Sequence, residues 1–513
     1  MGAAAVVSCA FLAAACLAAR TCQADRQCTT ESLSNGKMPP ELKALVGQGE
    51  GSGLVGTLCS VPAAAPWTVM FGDNVLQCVQ QQGQRVCTVP AINGISISVE
   101  SSTAEPRVST ANVKPSQDRL RPLLNHSSVR YIAPNCRSFG ILAAPAAVQY
   151  SQRTGLIGTG LAAANTEACE RHDSAQWGIA DACIPATNQN AAAPKVVAIL
   201  DAGVDCVHPA IKGRFDNGAA PTGKRRCTAG SGTNYVFPTL PADSCTTADD
   251  PFTSCEAHGT GVAGIIASSA PQVPGIDPRA KLLSMRVLQP KSDLEFVQPW
   301  TKVATAILDS RDKGAHIINI SANWYRNYPW LAAAVDKVTE DHRHLVVGAA
   351  RHDEADRPPY PAAYAKCNAA VIGVSDILRN PNQSPPYLWG SGDHDPVYMV
   401  AAGHNVLTSY SDHNTLGLDD PIEPMYRPQG GSSFAAPHVT GAAARVWSTQ
   451  EFENCRAEGV RALLECSARM TSIDGQDMRK RLHVGCLFAE RNSQLCSTAR
   501  QCIATVKTQL CSN

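Results

Sequence analysis

The segment Val196-Val197-Ala198-Ile199-Leu200-Asp201 constrains this chain more than any other. Its side chains show no polar and apolar alternation, so both faces need cover, which is the situation of a strand inside a parallel sheet flanked by helices. The run ends on an aspartate and a glycine turn, Ala202-Gly203-Val204, which places a carboxyl group at the C-terminal edge of the sheet. Open α/β sheets gather their chemistry at that edge. Four more short apolar runs, bounded by polar turns, follow: residues 280–288, 316–321, 344–350 and 369–374. Between the first two of these, residues 301–313 place Val303, Ala304, Ile307 and Leu308 at the spacing of one helix face, which predicts a helix there. Strands alternating with helices predict an α/β fold with a doubly wound parallel sheet.

Two further segments carry chemistry. Gly431-Ser432-Ser433-Phe434-Ala435-Ala436-Pro437-His438-Val439 is a small-residue turn that presents a serine and runs into an apolar helix. A serine hydroxyl is a poor nucleophile until a histidine takes its proton, and that histidine works best when a carboxylate holds its tautomer. His258-Gly259-Thr260-Gly261-Val262-Ala263-Gly264 supplies a histidine at the mouth of a small-residue helix, and Asp201 supplies the carboxylate. Each piece alone has an ordinary structural meaning: an aspartate after a strand caps a turn, His-Gly occurs in loops, and Gly-Ser-Ser recurs in turns. Together, in the order Asp, His, Ser, they form a specific combination.

On these three segments the chain resembles the subtilisin-type serine peptidases, whose triad has this chain order, unlike that of chymotrypsin or the α/β-hydrolases. The resemblance runs over about residues 177–491. It implies a serine endopeptidase in which Asp201 orients, His258 acts as general base and Ser433 attacks, while Pro437 and His438 are structural. It also implies a polypeptide substrate held as an added strand between residues 291–294 and Ser321-Ala322-Asn323. Asn323 and the following Trp324 depart from the family's usual Ser-Leu-Gly and would narrow the pocket. Asp353 and Glu354, after the segment that would form a pocket wall, offer a basic side chain a partner, although acidic loop residues are commonly just solvated.

The largest departure concerns the oxyanion hole. Where the family places glycine and asparagine after the strand 345–350, this chain has Arg351 and His352. Loss of such a donor costs about 10² to 10³ in turnover; the expectation is that a ring N–H of His352 partly replaces it, with Arg351 as the alternative cationic donor and the Ser433 backbone N–H supplying the remaining bond. The alternative from another class is a pseudopeptidase that keeps the groove for binding. Gly261 stands where the family has a second histidine and is read as a packing change.

The resemblance divides the chain into a signal peptide (1–24), a propeptide region with a small α+β inhibitor-like prodomain (25–145), the peptidase domain (146–491) and a cysteine-rich tail (492–513). Residues 47–53 are glycine-rich and read as a linker, 95–99 as a strand, 115–124 as a helix and 129–135 as an extended segment that precedes a cleavage point. A self-inhibited zymogen follows, with the propeptide as intramolecular partner.

Composition fits a secreted hydrolase. Residues 1–19 are apolar and short for a membrane span, as in a signal peptide; a membrane anchor is the alternative. The chain has 21 cysteines and lacks paired CxxC sites, which points to disulfides formed in an oxidising compartment. Those around Cys227, Cys245 and Cys255, and those from Cys486 to Cys511, read as staples for loops that lack a core. With 44 basic and 44 acidic residues there is no field to draw nucleic acid or a membrane surface. Asn125-His126-Ser127 is a glycosylation sequon; Asn319-Ile320-Ser321 is another in form, but its place at a buried strand end argues against use. His342, His344 and His352 lack metal-ligand spacing, so no catalytic metal or other cofactor is expected; structural calcium is common in the family, without a site visible here, and a monomer is expected.

Overall fold

The computed structural model describes residues 177–185, 190–206, 208–215, 232–235, 257–288, 290–292, 295–325, 327–351, 357–380, 386–390, 392, 394–411, 425–475, 477–488 and 494–511, together with the backbone of six short strands that precede them. The expected signal peptide, glycine-rich linker, strand at 95–99, helix at 115–124, sequon at Asn125 and cysteines 227, 245 and 255 lie outside the described residues.

The chain forms two compact units. The first takes in residues 1–138, 299–312 and 327–334. Its described strands are β1 (Trp67–Phe71), β2 (Gln77–Gln81), β3 (Gln84–Thr88), β4 (Val108–Ala111) and β5 (Val129–Pro134). β1 lies between β4 and β5, antiparallel to both, and β2 and β3 form a hairpin. The extended segment expected at 129–135 is thus a strand. The helix expected at 301–313 is Trp300–Asp312, with Val303, Ala304 and Ile307 buried and Leu308 half-buried.

The second unit takes in residues 139–298, 313–326 and 335–513. A three-stranded sheet joins β6 (Arg137–Ile141) to β11 (Glu295–Pro299), which forms a hairpin with β10 (Pro290–Ser292). The main sheet contains β7 (Val196–Asp201), β8 (Gly232–Asn234), β9 (Lys281–Arg286), β12 (Ile317–Ile320), β13 (Leu345–Ala349), β14 (Val371–Arg379) and β16 (Met399–Ala402). Their order is β16-β14-β13-β12-β7-β9-β8, all parallel. β15 (Tyr387–Trp389) adds antiparallel to β14, and the hairpin β19 (Arg469–Ile473) and β20 (Asp477–Arg481) extends the edge beside β16. A separate hairpin pairs β17 (Val406–Ser409) with β18 (Tyr426–Gln429).

The unbroken apolar composition of the central strands is explained by burial: Val197 to Asp201, Ile317 to Ile320 and Leu345 to Ala349 are all shielded from solvent. The cover includes a helix that is itself buried all round, Ser432–Trp447, which packs on β12, β13, β14 and β16 and on a second helix, Ala257–Ala267. Alanine and glycine make this closeness possible. A Cβ on Gly259 would come within 2.0 Å of the Gly203 carbonyl oxygen, so only glycine lets the helix approach the end of β7.

At the C-terminus, helix Ser497–Leu510 packs against helix Ala457–Ser467, with Ile503 and Val506 buried. The disulfides Cys455–Cys511, Cys466–Cys502 and Cys486–Cys496 tie this end together. The expected staples therefore join a packed helix to the core rather than a coreless loop, because Ile503 and Val506 supply an apolar stripe that the cysteine spacing did not reveal. Cys183, Cys206 and Cys367 are disulfide-bonded as well.

Candidate active site

The parallel sheet delivers the C-terminal ends of β7, β12 and β13 to one edge. Asp201 is the last residue of β7 and is fully buried. Its carboxylate accepts a hydrogen bond from the Ala202 amide at 2.7 Å and faces the ring of His258. His258 stands at the start of helix Ala257–Ala267, its Nδ1 at 2.9 and 3.0 Å from the two carboxylate oxygens. Nδ1–H donates to this acceptor-only group, which leaves the lone pair on Nε2. Nε2 is buried and has no hydrogen-bond partner. The Phe434 ring packs edge-on against the imidazole, 5.1 Å between centroids.

Ser433 lies in the first turn of helix Ser432–Trp447, after Gly431, whose φ of 117° is open to glycine and strained for other residues. Its hydroxyl donates to the Ser321 carbonyl oxygen at 2.8 Å, and the Ser321 hydroxyl donates back to the Ser433 carbonyl oxygen, also at 2.8 Å. Pro437 explains the second bond. In an unbroken helix the N–H four residues on would satisfy the Ser433 carbonyl, but proline has none. The Ser321 hydroxyl takes that place. It is oriented in turn by Asn319 Nδ2 at 2.9 Å, and Asn319 Oδ1 accepts from the Thr440 hydroxyl at 2.8 Å. A buried polar chain thus runs from the helix through β12 back to the turn bearing Ser433.

The structure therefore joins Asp201 to His258 and Ser433 to Ser321, with Phe434 bridging the two pairs by its contact with the imidazole. Pro437 lies inside the helix, where it redirects a carbonyl. His438 is buried, with Nδ1 at 2.8 Å from the Phe434 carbonyl oxygen, and burial lowers its pKa to about 4, so the ring is neutral. Ala322, Asn323 and Trp324 continue from Ser321, each nearly inaccessible. Both amide atoms of Asn323 and the indole N–H of Trp324 are buried without hydrogen-bond partners. The Trp324 backbone pairs with Tyr360 through two bonds of 2.8 Å. Asn319 is fully buried, in keeping with the expectation that its sequon is unused.

Arg351 continues from β13 and forms a bridge with Gly392. His352, Asp353 and Glu354 lie outside the described residues, as do residues 293 and 294. Among the described residues there is no group of three or more His, Cys, Asp or Glu side chains placed to hold a metal. The roles of Asn319 and Thr440 escaped the sequence reading, although a proline inside a helix is the signal that a carbonyl needs an outside donor.

A buried, predominantly parallel sheet with an Asp–His pair and a glycine-presented serine at one edge defines a subtilisin-like α/β protein. The model of the subtilase family matches residues 194–488, and the chain belongs to that family. It is 25% identical to fervidolysin of Fervidobacterium pennivorans over 423 residues, 79% of this chain and 54% of that protein. Subtilisin Savinase of Lederbergia lenta is 31% identical over 205 residues, 38% of this chain and 67% of that one. Thermitase of Thermoactinomyces vulgaris is 27% identical over 286 residues, 54% and 82% of the respective chains. The crystal structure of fervidolysin, described as a keratinolytic enzyme related to subtilisin, superposes with a TM-score of 0.57 at 20% identity, covering 84% of this chain and 62% of that one. The chain spans about half the length of fervidolysin.

Proposed function

We propose that this chain is a serine endopeptidase that hydrolyses peptide bonds through an acyl-enzyme, with Ser433 as nucleophile, His258 as general base and Asp201 as orienting acid. The observation that carries this is the Asp201–His258 pair, in which the carboxylate holds Nδ1 and leaves Nε2 unpartnered near the turn bearing Ser433. In the reaction the Ser433 hydroxyl exchanges the Ser321 carbonyl for Nε2; hydrogen bonds of this kind commonly tighten only when substrate is bound. His258 then takes the proton as Oγ attacks, and returns it to the leaving amine. Water resolves the ester by the same route. This chemistry requires no cofactor. Backbone N–H of Ser433 and a ring N–H of His352 are the proposed oxyanion donors.

Ser321, Ala322 and Asn323 are proposed as one rim of a groove that takes a polypeptide as an added strand, the other rim being residues 291–294. A self-inhibited zymogen is proposed from the resemblance of the region 25–145 to an inhibitory propeptide. Secretion is proposed from the apolar start of the chain and the disulfides. No helix among the described residues is long and apolar enough to cross a membrane. The substrates are polypeptides, and the chain acts as a monomer.

A serine-directed fluorophosphonate tests the central claim. Processed protein is expected to label at Ser433 and Ser433→Ala to remain unlabelled. A folded, processed protein that never labels would identify the pseudopeptidase instead.

A further inference from the structure

A second carboxylate–imidazole pair lies behind the turn that presents Ser433. Asp376, fully buried on β14, accepts a hydrogen bond at 2.6 Å from Nε2 of His404, which follows the end of β16. The His404 side chain is 17% exposed, so the pair reaches from the core to the rim of the sheet edge. Its surroundings are built around it. A Cβ at Gly390 would fall 2.0 Å from Asp376 Oδ2 and 2.5 Å from His404 Nε2; one at Gly403 would fall 2.3 Å from Asp376 Cβ and 2.9 Å from the Gly431 carbonyl oxygen. The indole N–H of Trp177 donates to the His404 carbonyl at 3.0 Å.

The same residues hold the serine turn. Gly431 N–H donates to the Gly403 carbonyl oxygen at 2.5 Å, and His404 Nδ1 lies 3.3 Å from where a Cβ would stand on Gly430. Gly403 is thus clamped between Asp376 and the glycine that sets the path into helix Ser432–Trp447. Two glycines in succession leave the turn with no side chain of its own to fix it, so its position depends on what it leans on.

We propose that His404, held by Asp376, is a positioning residue for the Gly430–Gly431 turn and hence for Ser433; the catalytic half of this statement rests on Ser433 being the nucleophile. The imidazole acts through the backbone and touches no reacting atom. A misplacement of about 1 Å at a reacting group costs up to ~10²-fold in rate, so a modest loosening of this turn is visible in turnover.

The test uses full-length processed protein carrying His404→Leu, which removes the donor to Asp376, and His404→Gln, whose amide can restore it. Cys466→Ser with Cys502→Ser is the control for general destabilisation. Two readouts are taken: hydrogen exchange of the peptide spanning residues 430–434, and the fluorophosphonate labelling rate per folded molecule. His404→Leu is expected to speed exchange at the turn and slow labelling by about tenfold or more, with KM for a peptide substrate little changed; His404→Gln is expected to recover most of both, and the disulfide control to move neither. If His404→Leu lowers the melting temperature as the control does but leaves exchange at the turn unchanged, the pair is structural only and the proposal is overturned. Faster exchange at the turn in a protein whose parent does not label would uphold the positioning role and overturn the nucleophile assignment.

Discussion

Ser321→Ala is the sharpest probe of how the serine turn is held. The substitution deletes one hydroxyl that is both donor and acceptor: it donates to the Ser433 carbonyl and accepts from Asn319 Nδ2. Ser321, Asn319 and Ser433 are all fully buried, so water cannot step in. The Ser433 carbonyl loses the donor that compensates for Pro437, and the Asn319 amide loses its acceptor. An orphaned buried polar group costs about 1–3 kcal/mol, so two of them predict a loss of about 2–6 kcal/mol, which is large against ordinary domain stability of about 5–15 kcal/mol.

Pro437 offers a second, sharper test. Replacing Pro437 by alanine supplies the missing N–H, which can bond the Ser433 carbonyl within the helix. Pro437→Ala is therefore expected to rescue part of the Ser321→Ala loss, with an interaction energy of about 1–2 kcal/mol, the worth of one orphaned carbonyl. The assay is guanidinium unfolding of the four members of the cycle in a Ser433→Ala background, which removes the proposed nucleophile and with it any self-digestion. A Ser321→Ala loss below about 1 kcal/mol, or additivity of the two changes within ~0.5 kcal/mol, would refute the account of the proline.

Two further outcomes are expected. His438 is buried and its pKa is lowered from 6.5 to about 4, so the unfolded chain takes up a proton that the folded chain refuses. Its contribution is complete above pH 6.5 and falls away between pH 6.5 and 4, at a slope of about 1.4 kcal/mol per pH unit. His316, lowered to about 4, and His483, lowered to about 3, add slopes of the same sign, both chiefly through burial. Urea unfolding across this range should show a shallower dependence in His438→Gln, by about one proton; an equal slope would count against a neutral His438. Asn323→Leu removes two unpartnered amide atoms from a buried site of similar volume, and is expected to raise stability by about 1–3 kcal/mol while changing the order in which peptide substrates are preferred. A fall in melting temperature would mean that the amide is satisfied in solution.

The parts of the site that were legible in the sequence are those where one residue type does one job. Asp201 could be placed because a short unbroken β-branched run that ends on a glycine turn reads as an internal strand, which sets where its last residue emerges. His258 and Ser433 could be singled out because small-residue segments bearing a histidine and a serine, together with Asp201 and in that chain order, resemble the subtilase signature. Asn319, Thr440, Asp376 and His404 were not legible for the opposite reason. Each is an ordinary polar residue whose meaning depends on a partner between 28 and 121 positions away, as in the pairs His404–Asp376 and Thr440–Asn319. Burial alone turns such residues from solvent-facing to structural, and no local pattern encodes it. The tail was misjudged on the same account: its cysteines are conspicuous, whereas Ile503 and Val506, which seat the helix, are two apolar residues among polar ones.

The resting position of the Ser433 hydroxyl also follows from this network. Its hydrogen bond to the Ser321 carbonyl is an exchange of one neutral acceptor for another, worth about 1 kcal/mol net, and the alternative acceptor, His258 Nε2, is left without a partner. A bond from the Ser433 hydroxyl to Nε2 would satisfy that buried acceptor at the expense of the one to the Ser321 carbonyl. A substrate strand pairing with the Ser321–Asn323 segment acts on the same stretch of backbone that accepts the resting hydroxyl. In the proposed mechanism binding shifts that exchange toward Nε2, while the Ser321 hydroxyl continues to hold the turn through the Ser433 carbonyl. With Ser433 as the proposed nucleophile and a polypeptide as the proposed substrate, a site arranged in this way would keep the hydroxyl on the Ser321 carbonyl until substrate is present while its backbone stays held. Asp201 is untouched by the exchange, so the imidazole meets the hydroxyl already oriented.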